Sequence, residues 1–525
     1  MTHANSRAPP VFKSTWDAAA CYIHCMSTRL HLASEDRAFF DRVRASAFTN
    51  PFGDERALAD RRALGVADEA GFDDVLARLL AELEKRLAAL APEGRADLSR
   101  FADDDRDRVA TAVLFRVFHA HTAALDDLIR EQEAADAPCA APAAASVFSD
   151  LLAFGLPRTE AAQDVAIFYQ LRRAFHFIRD GLVGAGPSMK QLRKRLWDNI
   201  FTHDAREYVR SLWNRMEDFS TLLLGATGTG KGAAAAALGR SGFIPFDPAT
   251  GRFAESFTRA FVPINLSQFP ESLIESELFG HRKGAFTGAV ERHEGVFARC
   301  SPHGAIFLDE IGDVAEPVQI KLLQVLQQRT FSPVGGHEVL RFEGRVIAAT
   351  NKPLDRLRRD GAFRDDFYYR LCSDVIEVPS LGLRLQEAPS ELEALVAHIL
   401  RRMRVADHAA LAGRVLDALD RGVGRDYAWP GNVRELEQAV RRILLTGAYA
   451  GDAPAAGGDG PDGLADALAR GDLTARELTA AYCRLLFTRH RSYEEVARRT
   501  GLDWRTVKKH LASDPDAASV SWANT

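Results

Sequence analysis

The chain has 525 residues, material for about three or four folding units at a working size of ~150 residues each, and 46% of them are apolar, as in ordinary globular protein. A formal net charge of −5 excludes a general attraction to nucleic acid, so any DNA contact must come from a local basic patch. The opening run MTHANSRAPPVFKST has no apolar segment, and no stretch of about 18 uncharged apolar residues follows, so neither secretion nor membrane spanning is indicated and a cytoplasmic protein is expected.

Six scattered cysteines, Cys21, Cys25, Cys139, Cys300, Cys372 and Cys483, favour free reduced thiols over a disulfide framework. The close pair in CYIHC offers Cys21, His24 and Cys25 as metal ligands. No second ligand pair of matching spacing follows, and a buried helix face is the plainer reading.

Taken in chain order, residues 1–180 predict an all-helical N-terminal regulatory domain. In GFDDVLARLLAELEKRLAALAP the apolar positions Phe72, Val75, Leu76, Leu79, Leu80, Leu83, Leu87 and Leu90 fall at three- and four-residue spacing, one face of a long helix. The same periodicity recurs in VATAVLFRVFHAHTAALDDLIR and VAIFYQLRRAFHFIRDGL, with the Ala/Pro-rich EAADAPCAAPAAAS as a loop between them. His119, His121 and His176 lie on these helices beside aromatic residues and read as satisfied core or surface histidines.

From about residue 181 the texture changes to short β-rich runs, STLLLG, RAFVPIN, GAIFLDE and RVIAAT, interleaved with helical patterns, which predicts an α/β core on a parallel sheet over 181–380. A helical lid over 381–449 follows. AGDAPAAGGDGPDG then marks a flexible linker over 450–472, and a compact helical segment occupies 473–525.

The run TLLLGATGTGKG places a strand before Gly225, Ala226, Thr227, Gly228, Thr229, Gly230 and Lys231, the spacing of a phosphate-binding loop. Glycines let backbone N–H groups turn inward around phosphates, and Lys231 adds a point charge for the β- and γ-phosphates of ATP. Gly232 stands where a Ser or Thr normally touches Mg²⁺. Downstream, GAIFLDEIG ends an apolar strand in Asp309 and Glu310, at the carboxyl end of a sheet strand where ligands bind. Asp309 suits Mg²⁺ and Glu310 suits orientation of an attacking water.

Between these motifs stands ESELFGHRKGAFTGAVERHEGVF, whose core Gly284, Ala285, Phe286, Thr287, Gly288 and Ala289 matches the signature hexapeptide of sigma-54-dependent activators, the bacterial enhancer-binding proteins. Over roughly residues 182–445 the chain resembles that family, which implies a P-loop ATPase of the AAA+ class working as a ring, expected to be hexameric. The resemblance implies that the loop around Phe286 and Thr287 touches the sigma factor, with small residues on either side letting an exposed aromatic tip swing. It assigns Asn265 to restrain the catalytic glutamate, Thr350 and Asn351 to sense the γ-phosphate, and Arg434 to contact nucleotide from the lid. Arg364 and Arg370, in FRDDFYYRL, match two arginines that reach into the neighbouring subunit's nucleotide; surface ion pairs with Asp365 and Asp366 are their alternative. Ala226 and Gly232 depart from the family's acidic residues at these loop positions, and an alanine run follows from Ala233 to Ala237, departures that bear on nucleotide affinity and turnover. Arg384 receives no role.

In the tail, SYEEVARRTGLDWRTVKKHL has the alanine-to-glycine spacing of a helix-turn-helix, with Asp503 as N-cap of the second helix. From Leu473 to Ser513 nine Lys/Arg face four Asp/Glu, the local basic excess that phosphate contacts need. Trp504, Arg505, Thr506, Lys508 and Lys509 are the candidates to face double-stranded DNA upstream of promoters; a hairpin for protein contacts is the alternative. The implied function is ATP-driven opening of the closed promoter complex of the sigma-54 RNA polymerase holoenzyme. A non-transcriptional AAA+ remodeller and a DNA-binding repressor with a decayed ATPase are the competing readings.

Overall fold

The computed structural model describes residues 29–66, 72–91, 96–135, 139–405, 407–451, 468, 474–490 and 492–512. The CYIHC segment and most of the 450–472 linker lie outside them. Contacts divide the chain into one unit of residues 1–416 with 431–440 and another of residues 417–430 with 441–525. No helix among the described residues is long and apolar enough to cross a membrane.

Among the described residues, the first unit opens its chain order with helices Ser34–Ala47, Asp54–Leu64, Phe72–Ala89, Asp103–Ala120, Thr122–Ala135, Pro142–Ala153, Arg158–Gly181 and Pro187–Phe201. Along Phe72–Ala89 the residues Val75, Leu79, Leu83 and Leu87 are buried at four-residue spacing, so the apolar stripe legible in the sequence faces the core. Local chemistry sets the ends: Pro142 and Pro187 open their helices with φ preset and no N–H to lose, and Gly65, at φ 68°, closes Asp54–Leu64. Asp105 is buried yet satisfied, accepting from Leu32 N at 3.0 Å and from both nitrogens of the Arg37 fork at 2.7 and 2.8 Å. The Arg37 hydrogen bond is the main reason its carboxyl is held down to about 2.

Among the described residues nine strands follow: β1 (Thr221–Leu224), β2 (Phe246–Asp247), β3 (Arg252–Phe253), β4 (Phe261–Asn265), β5 (Ala305–Asp309), β6 (Thr330–Phe331), β7 (Leu340–Arg341), β8 (Arg345–Thr350) and β9 (Asp374–Glu377). Five form a parallel sheet in the order β4-β5-β8-β1-β9, while β2–β3 and β6–β7 are short antiparallel pairs. The STLLLG, RAFVPIN, GAIFLDE and RVIAAT runs are all sheet strands, and burial along β1, β5 and β8 accounts for the lack of polar alternation in those three.

The helical part and the sheet share one core: Phe168, Tyr169 and Phe177 of Arg158–Gly181 belong to the same buried cluster as Leu223, Ala235 and Ile347. The alanine run explains how close they come. Ala234, Ala235 and Ala237 of the helix Lys231–Gly239 are buried, and a Cβ on Gly239 would stand 2.2 Å from the Phe261 ring. Small side chains let this helix lie directly on the sheet while Arg158–Gly181 covers its other side.

On Arg158–Gly181, burial and then the neighbouring Glu160 push the Asp164 carboxyl up to about 7. Its folded value thus lies above its unfolded one, so its contribution to stability is present below about pH 4 and is lost as pH rises through about 7. Asp164→Asn is expected to match the wild type in thermal unfolding near pH 4 and to be more stable at pH 8, by on the order of 1–3 kcal/mol. A difference that does not change with pH would contradict this.

Candidate functional site

The loop after β1 turns on three glycines with positive φ, Gly225 at 157°, Gly228 at 80° and Gly230 at 105°, and leads into the helix Lys231–Gly239. At Gly228 a side chain is excluded sterically as well, because a Cβ would stand 2.3 Å from Gly431 O. Lys231 is 7% exposed and donates to Gly225 O at 2.7 Å and Ala226 O at 3.1 Å, folded back over its own loop. Burial lowers its pKa from the usual ammonium value.

β5 ends at the same cavity. Burial raises the Asp309 carboxyl, offset in part by the hydrogen bond it accepts from Glu310 N at 3.1 Å. Glu310 takes φ 56°, a left-handed conformation costly for a non-glycine residue, and its Oε2 is buried without a hydrogen-bond partner. Asn265 pairs with Asp309 in the β4–β5 register. Its side chain instead caps the next turn, accepting from Ser267 N and Oγ at 3.0 and 2.8 Å, and among the described residues no hydrogen bond joins it to Glu310.

Thr350 ends β8 fully buried, accepting from Lys352 N at 3.1 Å, and Asn351 Nδ2 donates to Thr227 Oγ1 at 2.7 Å, tying this strand end to the loop. The lid approaches from the other side: Asn432 donates to Thr227 O at 3.0 Å, and Val433 N to Gly228 O at 3.0 Å. Arg434 and Asp309 thereby line one cavity of about 330 Å³ with Thr227–Ala233, Glu310 and the apolar Leu182 and Ile399. Nothing stands within 4 Å of a Cβ on Gly232, so the missing hydroxyl at that position is not a steric requirement of the fold. Among the described residues no three His, Cys, Asp or Glu side chains form a metal cluster. Cys300, Cys372 and Cys483 are free thiols.

Two assigned groups do not reach this cavity in their own chain. Arg364 pairs with Asp366 at 2.8 Å and Glu316 at 2.7 Å, and Arg370 donates to Leu326 O at 2.9 and 2.8 Å. The ion pair expected with Asp365 belongs to Arg358. Residues 284–289 form a tight turn closed by Gly284 N to Ala289 O at 2.8 Å, with Gly284 and Gly288 at φ 81° and 102°. Thr287 is exposed at its tip. Phe286 corrects the expectation of an exposed aromatic: it is half-buried, its ring centroid 4.9 Å from His281, because the Ala289 N to Phe286 O bond folds the ring back onto that imidazole.

Arg384 was not legible as a site support. It is buried with Glu391 in an ion pair of 2.8 Å and donates to Val183 O at 2.6 Å, while Gly186 N donates to Glu391 at 2.9 Å. This pair therefore fixes the 182–186 segment that walls the cavity. The sequence carries a signal only in retrospect, an Arg and a Glu seven residues apart.

In the second unit, helices Ala475–His490, Tyr493–Thr500 and Trp504–Ala512 pack on Cys483, Leu486, Val496 and Val507. Ser492 caps the second helix, Gly501 closes it at φ 69°, and Asp503 accepts from Arg505 N at 2.9 Å. Trp504, Arg505, Lys508 and Lys509 are exposed, and Thr506 is half-buried.

Comparison with known proteins matches residues 202–377 to the sigma-54 interaction domain. The chain carries a sigma-54 interaction domain. It is 40% identical to the transcriptional regulatory protein ZraR of Escherichia coli K12 over 271 residues, 51% of this chain and 54% of ZraR. It is 41% identical to the DNA-binding transcriptional regulator NtrC of Azospirillum brasilense over 264 residues, 50% and 47% of the two chains. With the Nif-specific regulatory protein of Azotobacter vinelandii it shares 38% over 266 residues, 50% and 44%. Through this domain the chain is related to the sigma-54-dependent transcriptional activators, and it spans about half the length of the curated relatives it matches.

Breaking the buried pair tests its role in the wall. Glu391→Ala strands the Arg384 charge and is expected to destabilise the chain by about 3–5 kcal/mol, while the double variant Arg384→Met/Glu391→Leu should recover most of that in equilibrium unfolding. Equal losses in the two variants would contradict the account.

Proposed function

We propose that this chain is a transcription activator that couples ATP hydrolysis to remodelling of the sigma-54 RNA polymerase closed complex, and that its C-terminal helix-turn-helix holds it on double-stranded DNA. The observation that carries the reading is a phosphate-binding loop and a complete Gly284–Ala289 hexapeptide turn within one folded unit, inside the matched domain.

The site's residues fit a nucleotide. Gly225, Gly228 and Gly230 turn the loop backbone toward the helix start, whose free N–H groups favour phosphate. Lys231 exchanges two loop carbonyls for phosphate oxygens. Mg²⁺ would neutralise phosphate charge when bound, and Asp309 is the group that would hold it, without a hydroxyl from Gly232. Glu310, with a buried oxygen lacking a partner, is suited to orient a water and accept its proton. Thr350, Asn351 and Arg434 read the occupant from the strand end and the lid. Ala226 and Thr229 complete the loop.

Arg364 and Arg370 point to assembly. Neither meets its own chain's cavity, and a neighbouring subunit's nucleotide, in a ring expected to be hexameric, is the partner they would serve; such trans arginines are worth roughly a thousandfold or more in rate. Asn265 gates Glu310 only if its cap on Ser267 opens. The exposed Thr287 and the half-buried Phe286 are the sigma contact, so engagement must free the ring from His281. In the tail, Trp504, Arg505, Thr506, Lys508 and Lys509 face DNA, and cytoplasmic action follows from this role.

The test is ATP-dependent open-complex formation on a sigma-54 promoter by purified protein, with and without residues 1–180. The wild type is expected to open the promoter. Thr287→Ala should hydrolyse ATP at near wild-type rate without opening, and Glu310→Gln should lose at least a hundredfold in hydrolysis and fail to open. Hydrolysis by the wild type with no opening in either form would favour a non-transcriptional remodeller.

A further inference from the structure

The helical part of the first unit encloses a second cavity, of about 330 Å³, far more apolar in character than the one at the phosphate-binding loop. One stripe of Arg158–Gly181, namely Asp164, Ile167, Phe168, Leu171 and Phe175, lines it at the three- and four-residue spacing of a single helix face. Leu114, Phe115 and Phe118 of Asp103–Ala120 line the same space, with Phe118 edge-on to Phe168 at 5.3 Å between ring centroids. The volume falls at the lower end of the range of small-molecule sites, about 300–1,000 Å³.

The polar groups around this space are unequal. Arg56 pairs with Asp60 at 3.1 Å, Arg172 with Asp126 through two bonds of 2.9 and 2.7 Å, and Arg179 with Asp180 at 2.7 Å, so each cation already has its acid. His119 spends its Nδ1 on Phe115 O at 2.8 Å, and burial pushes its pKa down to about 4, which keeps it neutral. Asp164 differs. Its only electrostatic neighbour is the like-charged Glu160, and among the described residues no hydrogen bond or ion pair satisfies it. Asp164 is half-buried at the cavity wall, and a carboxyl left there without a partner gains from an occupant that donates to it.

We propose that this cavity binds a small aromatic molecule carrying one hydrogen-bond donor, an amine or a hydroxyl, whose ring packs among Phe118, Phe168 and Phe175 and whose donor meets Asp164. Aromatic side chains of this kind take a ring edge-to-face or offset. An anion is disfavoured, because Asp164 and Glu160 repel it and the arginines have no charge to spare. The site also has a route outward. From the same helix, Gln170 donates to Ser241 O at 2.9 Å and Arg173 donates to Arg240 O and Gly242 O at 2.6 and 2.7 Å, at the end of the helix that starts at the phosphate-binding loop. Any influence on ATP hydrolysis by that route rests on the nucleotide reading above, whereas the binding itself does not.

The full chain is titrated calorimetrically with 2-phenylethylamine, phenol and indole, with benzoate as the anionic comparison. The wild type is expected to bind at least one donor probe saturably with one site per chain, and benzoate at least tenfold more weakly. Leu171→Trp, which fills the space, should abolish binding while circular dichroism and unfolding stay those of a folded chain. Should Leu171→Trp fail to fold, Asp164→Ala decides: it should weaken the donor probe by about tenfold and remove the discrimination against benzoate. No saturable binding of any donor probe, benzoate binding equally well, or unchanged affinities in a folded Leu171→Trp or in Asp164→Ala would overturn the proposal.

Discussion

The rest of the structure depends on how one helix end is satisfied. The helix Lys231–Gly239 starts at the loop after β1, and the carbonyls of its last turn are met by Arg240 N and by Ser241, which leaves the carbonyls of the exit turn Arg240–Gly242 to be satisfied. Arg173, fully buried on Arg158–Gly181, donates to Arg240 O and Gly242 O, and Gln170 donates to Ser241 O, so three carbonyls of that turn are held by one neighbouring helix. The guanidinium lies 4.7 Å over the Tyr169 ring and 5.7 Å over Phe257, so its dehydration is offset by aromatic faces as well as hydrogen bonds. Burial is also what lowers its pKa to about 10, still charged at neutral pH. The nucleotide-loop helix is thus held at one end by the helical part and at the other by the lid turn at Asn432 and Val433.

Much of this was legible in the sequence where a rule is local. The stripe through Val75, Leu79, Leu83 and Leu87, the strands ending at Asp309 and Thr350, the glycines of the loop and the helix end at Gly501 each follow from periodicity or from backbone freedom at one residue. What the sequence could not reveal is where distant groups meet. Arg173 and the Arg384–Glu391 pair look like any charged residues on helical patterns, yet each is buried because a carbonyl or carboxylate elsewhere in the chain awaits it. The alanine run Ala233–Ala237 read as a loss to the pocket; three of its members are core residues that set helix-to-sheet distance, and only Ala233 lines the cavity.

The site shows the same division. Lys231, Asp309, Glu310 and Arg434 converge on one cavity, and these are the residues whose motifs specify a position along a strand or helix end. Arg364, Arg370 and Phe286 were assigned by contacts to other molecules, and a single chain satisfies them internally, with Glu316 and Asp366, with Leu326 O and with His281. These parked contacts are cheap to exchange. Arg364 is half-buried but its partners Asp366 and Glu316 are exposed, where water screens an ion pair and leaves it weak.

The most direct test of the central claim, that the loop cavity is a nucleotide site, is equilibrium titration of the full chain with a fluorescent ATP analogue and Mg²⁺, wild type against Lys231→Ala. The account predicts saturable micromolar binding by the wild type and an affinity at least tenfold weaker in a normally folded Lys231→Ala. No saturable binding by the wild type, or equal affinity in the two proteins, would contradict it.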